Sequence, residues 1–100
     1  MKVKFTQHTK DRLKLIYEYY KDKNQAKYGW QLRAKIILKT LKLKDFPTLG
    51  QVEENLAALN LGHRYLVESD FKIIYPQIGN VIWITDMFDT RQDPDKMSGQ

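Results

Sequence analysis

Two apolar segments joined by a Gly-Asn pair constrain the fold of this chain more than any other feature. The segments are "FKIIYPQI" (residues 71–78) and "VIWITDMF" (residues 81–88), and Gly79 between them supplies the positive φ that a tight hairpin turn needs. A third β-rich segment, "HRYLV" (residues 63–67), precedes them after another short polar break. The three segments predict an antiparallel meander, in which Pro76, with no N–H to donate, faces an edge or a bulge.

The first half of the chain predicts a short strand followed by two helices. "VKFTQ" alternates, with Val3 and Phe5 on one face. Thr9 is expected to cap the first helix with its hydroxyl. The apolar stripe of that helix is Leu13, Ile16, Tyr17 and Tyr20.

The second helix is expected to begin near Gln25 and to stop at Pro47. Its apolar row is Trp30, Ala34, Ile37 and Leu41, with Leu38 beside it. The short polar break between the helices predicts an antiparallel hairpin.

The alternation of the last two strands predicts two different sheet faces. A two-residue turn places Ile78 opposite Val81. The same register places Lys72 opposite Met87, and opposite residues share a face. One face then holds apolar side chains that suit a core: Phe71, Ile73, Tyr75, Ile82, Ile84 and Phe88. The second face is partly apolar and partly cationic: Lys72, Ile74, Pro76, Trp83, Thr85 and Met87. If the strand continues regularly, Arg91 joins Lys72 there.

No long segment remains to cover the second sheet face, so this face is a candidate binding site. The alternative is partial cover by the connection at residues 46–62. Within that connection "VEENLAAL" is expected to form one or two helical turns, with its acidic pair against the basic helices.

The predicted fold class is α+β: a strand, an antiparallel two-helix hairpin and a three-stranded antiparallel meander, with the helices packed on one sheet face. The length suits a single domain over residues 1–100, with a flexible tail from about residue 95. There is no cysteine, which excludes disulfides and thiolate metal sites, and two scattered histidines do not make a metal site. No apolar stretch approaches the roughly 18 residues of a membrane span, so we expect a soluble, cytoplasmic protein.

The charge is distributed unevenly along the chain. Residues 1–44 carry 13 Lys+Arg and 3 Asp+Glu, a net charge of +10, whereas residues 45–100 carry 4 and 9, a net charge of −5. A basic half attracts acidic partners, either nucleic acid or an acidic protein segment. The alternative is an ordinary solvated helical surface.

The order of elements, together with "HRYLVESDFKIIYPQIGNVIWITDMFDTRQDP", resembles the RelE/ParE superfamily of toxins. These are the toxin halves of type II toxin–antitoxin modules, often labelled plasmid stabilisation proteins. The specific parts are Arg64 opening one strand, "DFKIIY" opening the next and "FDTRQDP" ending the last. In the members that are ribosome-dependent mRNA endonucleases, basic side chains gather on the open sheet face. Arg64, Lys72 and Arg91 match those basic positions.

One part of the RNase pattern is absent from this sequence. The residues after Arg91, "QDPDKMSGQ", contain no histidine or tyrosine to help transfer a proton, and arginine has too high a pKa to act as the base. The resemblance is therefore nearer the ParE branch, which is associated with inhibition of DNA gyrase. It implies a growth-inhibiting toxin that binds an intracellular target and is neutralised by a cognate antitoxin, and it favours no enzymatic activity. The alternatives are a metal-independent, ribosome-dependent mRNA endonuclease and a non-toxic basic nucleic-acid-binding domain.

The resemblance and the two predicted surfaces together assign candidate site residues. The catalytic residues, if the chain cleaves mRNA, are Arg64, Lys72 and Arg91. The residues assigned to target binding are Lys72, Trp83 and Arg91. The residues assigned to antitoxin binding are Trp30, Arg33, Ile74 and Met87, since basic helices and an open sheet face suit an acidic amphipathic segment. No cofactor, metal or small-molecule substrate is expected.

Each of the three cations also has an ordinary structural explanation. Arg91 can pair with a neighbouring aspartate at the strand exit, Lys72 can be a solvated strand residue, and Arg64 can anchor the sheet to an acidic residue of the 46–62 connection. The face of Arg64 depends on the turn before residue 71. A two-residue turn places Arg64 with Tyr75 on the core face, and a three-residue turn places it with Lys72.

Overall fold

The order predicted from the sequence, a strand, two helices and a meander, is the order found in the structure. The computed structural model describes residues 1–100. Its helices and strands are β1 (Lys2–Phe5), α1 (Gln7–Asp22), α2 (Ala26–Leu41), β2 (Gln51–Val52), β3 (Arg64–Glu68), β4 (Phe71–Tyr75), β5 (Gln77–Ile78), β6 (Val81–Ile84) and β7 (Asp86–Asp89). Three short 3₁₀ segments accompany them: Lys42–Lys44, Glu54–Leu59 and Pro94–Lys96. Neither helix is long and apolar enough to cross a membrane.

The strands form two connected ladders. β2, β3, β4 and β7 make one ladder in that order, and β1, β6 and β5 make the other. β5 continues β4 beyond Pro76 and β7 continues β6 beyond Thr85, so the ladders share two long segments of chain. β1 runs parallel to β6, with Val3 beside Ile82, and the remaining pairs are antiparallel. The meander is therefore confirmed, with the first strand added at the edge of β6.

A β-bulge interrupts the last hairpin. Next to the turn, Ile78 lies opposite Val81, as predicted. Farther along, Asp86 lies opposite Ile74, while the N–H of Thr85 also donates to the carbonyl of Ile74 at 2.9 Å. Two residues of one strand thus oppose one residue of its partner, which moves the register by one beyond this point. Ile74, which faces the bulge, lies two positions before Pro76, so the bulge is close to the proline but does not include it.

The bulge reverses which side chains of β7 face the core. Lys72 lies opposite Phe88, not opposite Met87 as the regular register predicts. Met87 joins the main core, whereas Phe88 packs on the second sheet face with Ile74. The predicted places of Met87 and Phe88 were therefore wrong, since a one-residue slip moves every later side chain to the other face.

The main core lies between the two helices and one sheet face. Its buried members are Leu13, Ile16, Leu32, Ile36, Leu43, Leu66, Phe71, Ile73, Tyr75, Ile82, Ile84 and Met87. Val3 and Phe5 of β1 pack against this cluster, as the alternation of the first segment predicts.

The core face of α2 is not the apolar row chosen from the sequence. Leu32, Ile36 and Thr40 are buried, with Ile36 at 0% exposure. Trp30 and Leu41, from the predicted row, are 53% and 42% exposed, and Leu38 beside that row is 64% exposed. Apolar residues occupy both sides of this helix, so helical periodicity is compatible with either row. The prediction took the wrong one, and the exposed row is left available at the surface.

Thr6, not Thr9, caps α1. The Thr6 hydroxyl accepts a hydrogen bond from the N–H of Thr9 at 3.2 Å, and the helix begins at Gln7. Thr9 is buried and its own hydroxyl donates to the carbonyl of Ile84 at 2.7 Å. The predicted capping residue instead ties the first turn of α1 to β6.

The second sheet face, predicted to be open, is largely covered. Leu56 from the 46–62 connection and Met97 from the tail pack against Ile74 and Phe88. The tail also makes hydrogen bonds there, since the carbonyl of Gly99 accepts from the buried His63 Nε2 at 2.7 Å. The expectation that nothing covers this face was wrong, and partial cover by the connection, given as the alternative, is what the structure has.

The acidic pair of the connection does not lie against the helices. Glu53 is buried beneath the second sheet face, where its carboxylate accepts a hydrogen bond from Lys72. The following residues form the predicted helical turns, as the 3₁₀ segment Glu54–Leu59. Glu53 caps this segment by accepting from the N–H of Asn55.

Candidate functional site

The three candidate catalytic cations do not converge in the structure. Glu68 lies opposite Phe71, so the turn between β3 and β4 has two residues and Arg64 lies opposite Tyr75. This confirms the first of the two alternatives and places Arg64 on the face opposite to Lys72. Arg91 follows the end of β7 in a turn and lies beside α1, so the prediction that it shares a face with Lys72 was wrong.

Lys72 is engaged inside the protein. Its Nζ donates to Glu53 Oε2 at 2.8 Å and lies 4.2 Å from the centroid of the Tyr65 ring. Burial of the Glu53 carboxyl acts to raise its pKa, but hydrogen bonds from Lys72 and Asn55 outweigh burial and hold the pKa below its ordinary value of 4.5. Lys72 therefore neutralises a buried carboxylate and is not a free cation on an open sheet.

Arg64 anchors the start of β2 through a backbone carbonyl, not through an acidic residue. Its Nη1 donates to the carbonyl of Gly50 at 2.8 Å. The N–H of Gly50 donates in turn to the hydroxyl of Tyr75, and that hydroxyl donates to the carbonyl of Pro47. Burial raises the pKa of Tyr75, in keeping with a phenol that stays protonated as a donor. The geometry gives Arg64 a structural role at this corner.

Arg91 is paired with Asp89 but stays at the surface. The guanidinium donates to both carboxylate oxygens of Asp89, at 3.0 and 2.8 Å, and the Arg91 N–H donates to the same carboxylate at 2.9 Å. The side-chain hydrogen bond from Arg91 lowers the pKa of Asp89, and the same bond raises the pKa of Arg91. Pairing with a neighbouring aspartate is the ordinary explanation that the sequence offered for Arg91. The paired guanidinium nevertheless remains exposed to solvent in a fixed position.

Arg91 also borders a cleft between α1 and the end of the sheet. The cleft has a volume of about 190 Å³. Its lining residues are Arg12, Leu15, Ile16, Tyr19, Tyr20, Phe71, Met87, Asp89, Arg91 and Gln92. Leu15 and Tyr19 are exposed despite their apolar bulk. Sequence reasoning missed these α1 residues, because they lie outside the core stripe of α1 and only the position of Arg91 brings them into a site.

Trp30 and Arg33, two of the four predicted antitoxin contacts, lie together on the outside of the helices. The Arg33 guanidinium lies 5.4 Å from the Trp30 ring centroid, and the Tyr17 ring lies 4.8 Å from the same ring. They border a groove of about 290 Å³ between α1 and α2, which we call the hairpin groove. Its lining residues are Lys10, Leu13, Lys14, Tyr17, Trp30 and Arg33, with no carboxylate among them.

The other two predicted antitoxin contacts are not at the surface. Ile74 and Met87 have exposures of 0% and 1%, on opposite faces of the sheet. Their assignment depended on the open sheet face and on the regular register, and the structure contains neither. Of the predicted antitoxin-binding residues, only the two on α2, Trp30 and Arg33, are therefore available at the surface.

Trp83 lies apart from Lys72 and Arg91. It is half-buried near the turn of the last hairpin, with Lys4 Nζ 5.6 Å from its ring centroid. Trp83 borders an apolar depression of about 390 Å³ with Leu61 and Ile78. The three predicted target-binding residues are thus at three separate places on the molecule.

Asp86 is a buried acid that sequence reasoning did not single out. Its carboxylate accepts from His8 Nε2 at 3.0 Å and from the N–H of Ser98 at 2.9 Å, and Arg12 Nε lies 3.9 Å away. One side chain therefore joins α1, the bulge and the tail. A lone aspartate inside an apolar strand was the available signal.

The fold is shared with a chain of known structure. A chain in the solved structure of the chromosomal ParDE TA (toxin–antitoxin) system from P. aeruginosa superposes with a TM-score of 0.71. The two sequences are 20% identical, and the match covers 87% of this chain and 92% of that chain. No protein-family model matches the sequence, and no curated protein matches it either. The chain thus has a ParE-like α+β fold.

Proposed function

We propose that this protein is the toxin component of a type II toxin–antitoxin module, acting in the cytoplasm and held silent by a cognate antitoxin. The observation that carries the proposal is the fold, which matches a chain of a ParDE toxin–antitoxin system over most of both chains. The sequence resemblance supports the same class independently, through the position of Arg91 in "FDTRQDP".

The hairpin groove is the surface that best suits the antitoxin. Its cations, Lys10, Lys14 and Arg33, line the same groove as the exposed indole of Trp30. An acidic amphipathic helix would place apolar side chains on Trp30 and on the exposed Leu38, and its carboxylates would reach the cations. The charge of +10 over residues 1–44 would hasten association with such a segment.

The proposed mode of action is binding to a protein target, with DNA gyrase the target that the resemblance implies. Two features favour binding over mRNA cleavage. Arg64, Lys72 and Arg91 lie apart, so they do not form the cationic clamp that phosphodiester cleavage needs. No histidine or tyrosine follows Arg91 to transfer a proton.

Induction of this protein alone in a bacterial host is expected to stop growth. Co-expression with a small acidic reading frame from beside its gene is expected to restore growth. If growth stops, purified protein is tested on gyrase supercoiling, and mRNA from the arrested cells is mapped for breaks. Lost supercoiling with intact mRNA supports the proposal, whereas codon-positioned breaks with normal supercoiling would establish the nuclease alternative. Unaffected growth at confirmed expression would count against a toxin.

Arg91→Ala is expected to relieve growth arrest while the protein remains folded. The side chain is exposed and its partner Asp89 can be solvated, so the thermal midpoint should stay close to that of the unsubstituted protein. Lys96→Ala is the matched control, because it removes another exposed cation near the chain end and should leave the arrest intact. Full toxicity of the Arg91 variant would remove this residue from the target-binding surface.

A further inference from the structure

The cleft that Arg91 borders and the hairpin groove lie on different sides of α1. At 3.6 residues per turn, Leu15 and Tyr19 project from nearly the opposite side of α1 to the residues that line the hairpin groove. Leu15 and Tyr19 both line the cleft, and the two depressions share no lining residue. A segment bound in the hairpin groove therefore does not itself fill the cleft, which is left to a second ligand.

The cleft combines a buried apolar floor with exposed walls. Ile16, Phe71 and Met87 line it and belong to the main core. Leu15 and Tyr19 line it as well and are 56% and 51% exposed. Its volume of about 190 Å³ is below the roughly 300 to 1,000 Å³ of a typical small-molecule site. The size suits one large side chain instead, as in the anchor pockets at the centre of protein interfaces.

Arg91 gives the rim of the cleft unused hydrogen-bond donors. A guanidinium has five N–H donors, and Arg91 uses two of them on the carboxylate of Asp89. Three donors therefore remain, on a side chain that is 65% exposed. Arg12 also lines the cleft, and its buried Nε has no hydrogen-bond partner. The lining residues include one carboxylate, Asp89, which is already paired, so the cleft favours a ligand with an anionic group.

We propose that the cleft receives an apolar side chain, with a carboxylate beside it, from a segment of the target protein. This proposal rests on the toxin function given above and identifies the chemistry of its target-binding surface. The apolar side chain would pack on Ile16 and Met87, and the carboxylate would accept hydrogen bonds from the free donors of Arg91. Leu15 and Tyr19 would cover the inserted side chain and exclude water from it. A nucleic-acid phosphate would also pair with Arg91 but would leave the apolar floor without a partner.

The chemistry of the cleft is tested by backbone-amide NMR of the isotopically labelled full chain with two small probes. N-acetylphenylalanine has an apolar ring and a carboxylate. It is expected to shift the signals of Leu15, Tyr19 and Arg91, with a dissociation constant on the order of 1 mM. N-acetylphenylalaninamide has the same ring but no charge, and it is expected to bind about tenfold more weakly because it loses the charge-assisted hydrogen bonds.

Variants of the exposed lining residues separate the two parts of the probe. Arg91→Ala is expected to remove the difference in affinity between the two probes. Leu15→Ala is expected to weaken both about fivefold through lost burial of the ring. Leu49→Ala removes another exposed leucine, outside the cleft, and should bind both probes normally. Thermal unfolding verifies that each variant is folded.

Three results of the titration would overturn the proposal. The first is equal affinity of the unsubstituted protein for the two probes. The second is the absence of shifts in the cleft, including shifts confined to the hairpin groove. The third is tighter binding of thymidine monophosphate than of N-acetylphenylalanine in the cleft, which would assign the cleft to nucleic acid.

Growth assays distinguish a failure of this proposal from a failure of the toxin function. Leu15→Ala is expected to relieve growth arrest as Arg91→Ala does, and Leu49→Ala is expected to leave the arrest intact. Arrest at full strength by the Leu15 variant would overturn the role of the cleft while the toxin function stands. If the unsubstituted protein does not stop growth, the toxin function fails, and the titration alone decides whether the cleft binds an apolar group with a carboxylate.

Discussion

Ile36→Ala is expected to lower the free energy of unfolding by about 4 kcal/mol, among the largest effects available from one side chain here. Ile36 has 0% exposure and belongs to the main core between α2 and the sheet. Removing three carbon atoms loses their transfer free energy and leaves a cavity that close packing fills only in part. Urea denaturation at neutral pH measures the effect, as a lower midpoint at an unchanged m-value.

Leu38→Ala on the same helix provides the matched control. Leu38 is exposed and lies beside the row that the sequence pattern favoured. Its truncation is expected to change stability by no more than about 0.5 kcal/mol. A large loss for Leu38 with a small loss for Ile36 would mean that α2 packs through its other face.

Lys72→Met is expected to cost about 3 kcal/mol at neutral pH, because it leaves the Glu53 carboxylate buried without its cation. Methionine keeps most of the apolar stem that packs near Tyr65, so the variant removes mainly the ammonium group. Urea denaturation at several pH values measures the loss. Double substitution with Glu53→Gln removes the unpaired charge and is expected to recover part of it.

The pH dependence of this loss has a definite sign. In the unsubstituted protein the folded-state pKa of Glu53 lies below its ordinary value of 4.5, so the stabilisation is fully present above pH 4.5. It is lost as the pH falls through the folded-state pKa. In the variant the burial of Glu53 acts to raise its pKa, so protonation relieves the unpaired charge. The difference between the two proteins should therefore begin to narrow above pH 4.5, as Glu53 of the variant is protonated, and narrow further as the pH falls through the folded-state pKa of Glu53 in the unsubstituted protein.

Two other results would contradict this assignment of Lys72. Lys96→Met, which removes an exposed lysine, should have almost no effect on stability, and an equal loss would indicate a general effect of charge. A loss for Lys72→Met that stays constant from neutral to acidic pH would exclude Glu53 as its cause. Either outcome would mean that Lys72 does not stabilise the fold by pairing with Glu53.

The order and type of the elements could be read from the sequence because the signals were local. Gly79 marks a tight turn between two β-rich segments, and the alternation of Val3 and Phe5 marks a strand. The main errors concern choices that only tertiary packing decides. α2 has two apolar rows, and the sheet selects the one with Ile36 although the other contains a tryptophan. The helical periodicity of the sequence does not indicate which of the two rows packs against the sheet.

The site predictions failed where they depended on a long regular register. The bulge at Thr85 and Asp86 sends Met87 into the core, so every assignment beyond it was displaced. Nothing in the composition of "VIWITDMF" distinguishes a bulged strand from a regular one. Trp30 and Arg33 were placed together because helical spacing is short-range, and that part of the site is present in the structure.

Cover on both sides of β4 limits how this segment can vary in sequence. An antiparallel strand with one solvated face leaves every second position free to accept polar residues. Here Ile73 and Tyr75 face the main core, while Ile74 between them is buried beneath the connection and the tail. Three consecutive positions are thus closed to polar substitution, as in the strands of a sheet with helices on both faces. Sequence variation at these three positions of β4 should therefore be confined to exchanges between apolar residues of similar volume.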